Sequence, residues 1–197
     1  MTDSAPVVTG SGAAPGPDGR LRCPWGTGDP LYLDYHDSEW GRPVTSVQGL
    51  YERLTLEAFQ SGLAWITILR KRESFRTAFA GFDPERVAAF DDADVARLMA
   101  DAGIVRNRAK IDAAINNARV IVEWGDGFAE LILSFAQSDR PRPQAVDAIP
   151  AVTPESTALS KALKKRGIRF FGPTTAYAMM QATGLVDDHL VDCFVAG

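Results

Sequence analysis

The chain has 197 residues, 46% of them hydrophobic, enough to bury a core as one domain or two tightly joined lobes. A net charge of −4 excludes a protein that coats nucleic acid by bulk charge, so any affinity for polyanions has to come from local basic patches. No apolar run approaches the roughly 20 residues that span a bilayer.

The first stretch, Met1 to about Arg20, is rich in Pro, Gly, Ser and Ala and predicts a disordered tail over 1–20. It lacks the basic start and apolar middle of a secretory signal, and two Cys in so long a chain argue against a disulfide framework. The expected setting is a reducing cytoplasm, without membrane association. From Leu21 to Gly197 the pattern is that of a single all-α domain. Asp29-Pro30 predicts an N-cap with Pro at the first helical position, and Gly41 a stop. Leu50, Leu54, Ala58 and Phe59 recur at helical intervals before Gly62. A third helix is expected from Trp65 to Phe79, N-caps at Asp83 and Asp91, and a longer amphipathic helix from Arg106 to Trp124. Pro141, Pro143, Pro150 and Pro154 mark a long surface loop, longer than the usual connection and therefore a candidate for function. Ser156 is expected to open the C-terminal helices. No stretch alternates as a strand does.

Cysteine and histidine are scarce, two of each, and all four fall into two pairs. Cys23 and His36 are separated by twelve residues, and His189 and Cys193 by three, which on a helix places the second pair on one face. Two thiolates and two imidazoles form a tetrahedral set for zinc of the closed, structural kind. The spacing is not that of a classical zinc finger. The alternative is that each is a buried apolar Cys or a satisfied core His.

Lys161, Lys164, Lys165, Arg166 and Arg169 are five basic residues with no acid between Ser156 and Gly172. Gly167 and Gly172 bracket a turn, and Pro173-Thr174-Thr175 opens the next helix with its N-terminal amides outward. Such amides suit a phosphate oxygen, because their donors are unpaired and the helix dipole favours an anion. A solvated helix end followed by an ordinary turn is the other reading. Trp25, Tyr32, Tyr35, Trp40 and Trp65 crowd the N-terminal third, and aromatic faces suit a flat, cationic base. Glu57 interrupts the apolar "LTLEAFQ", where a carboxylate needs a partner or a function. These residues could equally be core aromatics, with Glu57 paired to a nearby Arg.

Taken together, "RCPWGTGDPLYLDYHDSEWG", "LEAFQSGLAWITILRKRE", "DAGIVRNRAKIDAAINNAR", "SKALKKRGIRFFGPTTAYAMMQATGLVDDH" and the terminal Cys193 resemble the bacterial 3-methyladenine-DNA glycosylases of the constitutive type, in the helix-hairpin-helix superfamily. The matching pieces run in order from Arg22 to Cys193. The resemblance implies a structural zinc clip joining the chain ends through Cys23, His36, His189 and Cys193. It implies a base pocket of Glu57, Tyr35 and Trp65, with Trp25 and Trp40 in its wall, and Leu63 filling the gap left by a flipped nucleotide. The hairpin, with Lys165, Gly167, Arg169, Gly172 and Thr174, becomes the anchor on double-stranded alkylated DNA. The implied protein is a monomeric, monofunctional enzyme that releases 3-methyladenine and leaves an abasic site, with no lysine nucleophile. Asp187 falls where the wider superfamily carries an Asp that activates water, although relatives of this type often carry Asn there; its alternative role is to cap the last helix. A zinc-stabilised DNA-binding module without catalysis is the competing reading, and the intact aromatic and Glu57 set speaks against it. A zinc hydrolase is disfavoured because four protein ligands leave no open metal position.

Overall fold

The computed structural model describes residues 12–195. The part of the expected tail over 1–11 lies outside these residues. The remainder is laid against the fold: strand β1 (Ala14–Pro15) pairs antiparallel with β2 (Leu21–Arg22), Ala14 opposite Arg22. Arg22 is fully buried, holding Asp18 on one side and Asp37 on the other. That buried, paired guanidinium is why 12–20 departs from the expected tail.

Helices follow in chain order: α1 (Pro30–Ser38), α2 (Val47–Gln60), α3 (Trp65–Ala78), α4 (Pro84–Ala88), α5 (Asp92–Ala100), α6 (Arg108–Trp124), α7 (Gly127–Leu133), α8 (Pro154–Lys165) and α9 (Pro173–Ala182). Most begin where side-chain acceptors meet otherwise unpaired amides. Asp29 accepts from the Leu31 amide, Ser46 from Gly49, and Asp91 forms a reciprocal capping box with Asp94. The C-terminal helices open earlier than Ser156: Thr153 is the cap, and Ser156 answers it from the third position of a capping box. The start of α3 has no side-chain cap from its own segment; the Tyr32 hydroxyl accepts from the Ile66 amide at 3.0 Å instead. The short α7, after Gly125, is an element that periodicity over so few residues did not predict.

A core of Leu50, Leu54, Phe59, Phe75, Phe79, Phe82 and Ile111 joins α2, α3 and α6. A smaller cluster of Cys23, Tyr35, Trp40, Leu69, Leu190 and Cys193 fastens the chain ends to α1 and α3. The two ends cross near Gly184, at φ +71°, where a Cβ would lie 2.7 Å from the Gly41 carbonyl. Only glycine fits that crossing.

One local expectation is corrected. His189 and Cys193 do not share a helix. Residues 187–195 form turns in which the Cys193 amide donates to the Leu190 carbonyl at 2.8 Å. Asp187 consequently caps no helix; its carboxylate accepts from the His189 amide at 3.0 Å and lies 3.5 Å from Arg142. The Arg142 side chain reaches the carbonyls of this segment, so its backbone acceptors are satisfied from outside rather than by helix bonds.

Candidate active site

A cavity of about 540 Å³ opens between α1, α2, α3 and α9. Its lining includes Trp25, Tyr35, Trp40, Glu57 and Trp65, so five of the sequence-derived site residues converge on one space. Tyr32, Gln60, Val146, Ile149, Ala178 and Gln181 complete it. Trp25 and Trp40 meet edge to face at 5.0 Å, and Tyr35 lies 5.5 Å from Trp65. Edge-to-face packing of Trp25 on Trp40 holds those rings in fixed orientation on the cavity lining.

Glu57 projects from α2 and is 5% exposed. Burial pushes its carboxyl up to about 8, with the charge of Arg53 pulling the other way. Arg53 does not pair with it: that guanidinium donates to Glu39, which also binds Arg72. Pairing of Glu57 with an arginine, the plain structural reading, is thus not what the molecule does. Burial and the nearby Glu57 charge also raise the Tyr35 hydroxyl well above its usual range, so Tyr35 stays neutral. The Trp65 Nε1 is buried with no hydrogen-bond partner among the described residues. A buried carboxyl on the lining of an aromatic cavity suits a polar, electron-poor ring.

Asp187 is not part of this lining. The next residue, Asp188, is 1% exposed and was not singled out from the sequence. It accepts from Tyr177 at 2.5 Å and Gln181 at 2.8 Å, and pairs with Arg140 at 3.1 Å. Gln181 lies on the cavity wall, so Asp188 holds that amide in place.

Beside the cavity, the donor atoms of Cys23, His36, His189 and Cys193 all lie within 4.8 Å of one another, and all four residues are buried. The Cys193 sulfur is 3.5 Å from His36 Nε2 and 3.7 Å from His189 Nδ1, and the Cys23 sulfur is 3.9 Å from His189 Nδ1. Hydrogen bonds from neighbouring groups hold the Cys193 thiol well below its ordinary range. The far ring nitrogens are held as well: His36 Nδ1 is 2.9 Å from Asp37, and His189 Nε2 is 3.2 Å from the Trp40 carbonyl. This cluster can hold a metal ion.

The basic hairpin lies between α8 and α9. Lys161, Lys164, Lys165, Arg166 and Arg169 are exposed, as are Gly167, Gly172 and Thr174. The chain turns at Gly167, φ +99°, and Gly172 precedes α9 with no side-chain cap, leaving the first amides of α9 free to bind an anion. Two asparagines of α6 pin it. Asn117 exchanges two bonds with the Arg169 backbone, at 2.8 and 3.0 Å, and Asn116 donates to the Gly167 carbonyl at 2.9 Å. Nothing in the sequence signals this pairing, although the Asn-Asn step inside an apolar helix face is unusual enough to question. Leu63, in the turn between α2 and α3, is 42% exposed. Lys110 braces that turn from beneath, donating to the Phe59 and Ser61 carbonyls at 2.9 and 2.7 Å.

An aromatic cavity with a buried carboxyl, in a chain that also carries an exposed basic hairpin, defines an enzyme class that acts on nucleobases. The chain belongs to the methyladenine glycosylase family, whose model matches residues 25–196. It is 50% identical over 177 residues to DNA-3-methyladenine glycosylase 1 of Escherichia coli K12, covering 87% of this chain and 95% of that protein. A crystal structure of 3-methyladenine DNA glycosylase I superposes with a TM-score of 0.86 at 48% identity, over 89% of this chain and 100% of the other. A Tyr-to-Phe variant of a 3-methyladenine DNA glycosylase I, solved in complex with 3-methyladenine, superposes with a TM-score of 0.82 at 36% identity, over 87% and 95%. No described helix is long and apolar enough to cross a membrane.

Proposed function

We infer that this chain is a DNA-3-methyladenine glycosylase acting as a monomer on double-stranded alkylated DNA. The observation that carries the reading is the cavity: a buried acid within an aromatic cage, in a chain of the methyladenine glycosylase family. A base inside a duplex cannot be attacked, so the damaged nucleotide is flipped into the protein. Methylation at N3 gives the base a positive charge, which Trp25, Trp40, Tyr35 and Trp65 stabilise by stacking and cation–π attraction, on the order of 1–2 kcal/mol per desolvated face. Glu57 accepts from the exocyclic amine, and its negative charge is restored against burial by the cationic base. A normal adenine carries no such charge, so Glu57 stays protonated beside it, the ionic attraction is absent, and the site discriminates in favour of the cationic base. Water adds at the sugar C1′ as the glycosidic bond breaks; the bond's electron pair leaves with the base and neutralises it, and the water's surplus proton passes to solvent. Free 3-methyladenine and an abasic site result.

We assign α8, the 166–172 turn and α9 to the helix-hairpin-helix element that anchors the duplex. Lys165, Arg169 and the amides after Gly172 take backbone phosphates, with Gly167 shaping the turn and Thr174 within the first helical turn. Such contacts position the protein without reading sequence. Leu63 fills the space left by the flipped nucleotide. The Cys and His cluster fits zinc. Tetrahedral zinc with ordinary bond lengths separates sulfur from nitrogen by about 3.6 Å, against the 3.5, 3.7 and 3.9 Å observed. Four protein ligands fill the coordination shell, so bound zinc supplies a structural link between the chain ends. Asp187 holds the turn carrying His189, and water activation is not assigned to it.

The test is to incubate the protein with methylated duplex DNA and separate the released bases by chromatography. Release of 3-methyladenine is expected; a duplex that keeps all of it overturns the reading.

A further inference from the structure

The proline-rich 138–153 segment, singled out by its length, has no part in the reaction as derived so far. The structure ties it down at two points and then brings two of its residues to the cavity lining. Arg140 pairs with buried Asp188 at 3.1 Å and donates to the Tyr177 hydroxyl at 2.5 Å. Arg142 donates to the carbonyls of His189, Leu190 and Val195 at 3.0, 2.7 and 3.0 Å, and the Val191 amide returns a bond to the Pro143 carbonyl. Beyond these anchors a single 3-10 turn, Val146–Ala148, leads to Ile149, which Pro150 restricts to an extended conformation (φ −82°, ψ 115°). Val146 and Ile149 then form part of the cavity lining, together with its aromatic residues. They are the aliphatic branched residues of a site otherwise built of aromatic and polar groups and one alanine.

We propose that this segment is the specificity wall of the site: Val146 and Ile149 set the size of the alkyl group the cavity accepts, and Arg142 is the positioning residue that holds the wall. The inference rests on the reading of the cavity as a base pocket. Branched side chains on a backbone stiffened by Pro143 and Pro150 cannot yield as a flexible chain would. An added methylene on the guest therefore meets a fixed surface, and one methylene in an apolar pocket is worth roughly 10- to 200-fold in discrimination. Arg142 fastens the wall to the segment that carries His189 and Cys193, so the wall moves with that segment.

Binding of free 3-methyladenine and 3-ethyladenine, followed by quenching of tryptophan fluorescence, tests this in the full-length, metal-loaded protein. Wild type is expected to prefer the methyl base by about tenfold or more. Val146→Ala, at a position 49% exposed and so harmless to folding, should narrow that ratio at least about fivefold, and Ile149→Ala should do the same. Arg142→Gln should narrow it too, with partial restoration in Arg142→Lys. A ratio unchanged in both alanine variants overturns the wall, and a ratio unchanged in Arg142→Gln overturns the positioning role. Failure of wild type to bind either base strikes instead at the base pocket itself.

Discussion

The Trp40 carbonyl stands 3.2 Å from His189 Nε2, while the Trp40 ring forms part of the cavity wall. Trp40 thus belongs to two sites at once. Its carbonyl fixes the His189 ring with Nδ1 toward the two sulfurs, and its ring lies 4.6 Å from the imidazole, edge to face. A neighbouring carbonyl commonly orients a ligating histidine in this way. The Cys and His cluster and the aromatic cavity share a wall.

Metal removal is therefore expected to act through shape. Extensive chelation should lower Tm by more than about 10 °C, a loss of several kcal/mol for a chain of this size. Elemental analysis of the protein as purified should give about one zinc per chain. His189→Ala should cost more stability than turnover, measured in the fraction that remains folded. Full stability in His189→Ala together with lost turnover would place the metal in the chemistry instead.

Glu57 predicts a pH dependence of definite sign. Its folded pKa is raised from 4.5 to about 8, so between these values the folded chain binds the extra proton and the unfolded chain does not. Stability from this group is full below the unfolded value and declines as pH rises through the folded one. Relative to Glu57→Gln, wild-type Tm should fall from about pH 5 to about pH 8 and then level off. Base release by Glu57→Gln should drop on the order of 100-fold with fold and zinc content kept. Parallel melting curves at all pH values would remove the raised pKa, and undiminished release would remove Glu57 from the site.

Asn117 links α6 to the hairpin through two bonds to the Arg169 backbone. Asn117→Ala should weaken binding to an abasic duplex by roughly tenfold, since two hydrogen bonds to an otherwise pinned loop are lost. Binding of free 3-methyladenine should not change. Lys164→Ala combined with Lys165→Ala should make the salt dependence of duplex binding shallower by about two in log–log slope. An unaltered slope means that neither lysine meets a phosphate.

Asp187 accepts from the His189 amide and lies outside the cavity lining. Asp187→Asn retains an oxygen for that bond and loses only the charge facing Arg142. Turnover within about threefold of wild type and a stability change under about 1 kcal/mol are expected, as for a partly exposed ion pair. A loss of turnover of a hundredfold at unchanged Tm would assign Asp187 to water activation.

Much of the molecule could be read from local chemistry. Asp29-Pro30, Asp83-Pro84, and Asp91 before a helical apolar pattern mark helix starts because an acceptor side chain meets unpaired amides within three residues. The four metal-binding candidates were legible because so few Cys and His exist to choose among. The hairpin was legible because its basic charges and glycines are contiguous. Where the reading failed, the cause was distant. Spacing alone suggested a helix across His189 and Cys193, but Arg142 supplies donors to that segment from 47 or more residues away and lets it turn. Residues 12–20 look fit for disorder by composition, yet Arg22 between Asp18 and Asp37 folds them back.

Residue types and their local order determined most of the helices, several of their caps, the candidate ligand set and the location of basic charge, because each depends on residue identity or on neighbours a few positions apart. Only the tertiary structure decided that Glu57 has no arginine partner, that Asp188 holds Gln181, and that Val146 and Ile149 line the cavity. Those outcomes depend on burial and on hydrogen-bond partners far apart in the chain, which exist only once the helices have packed.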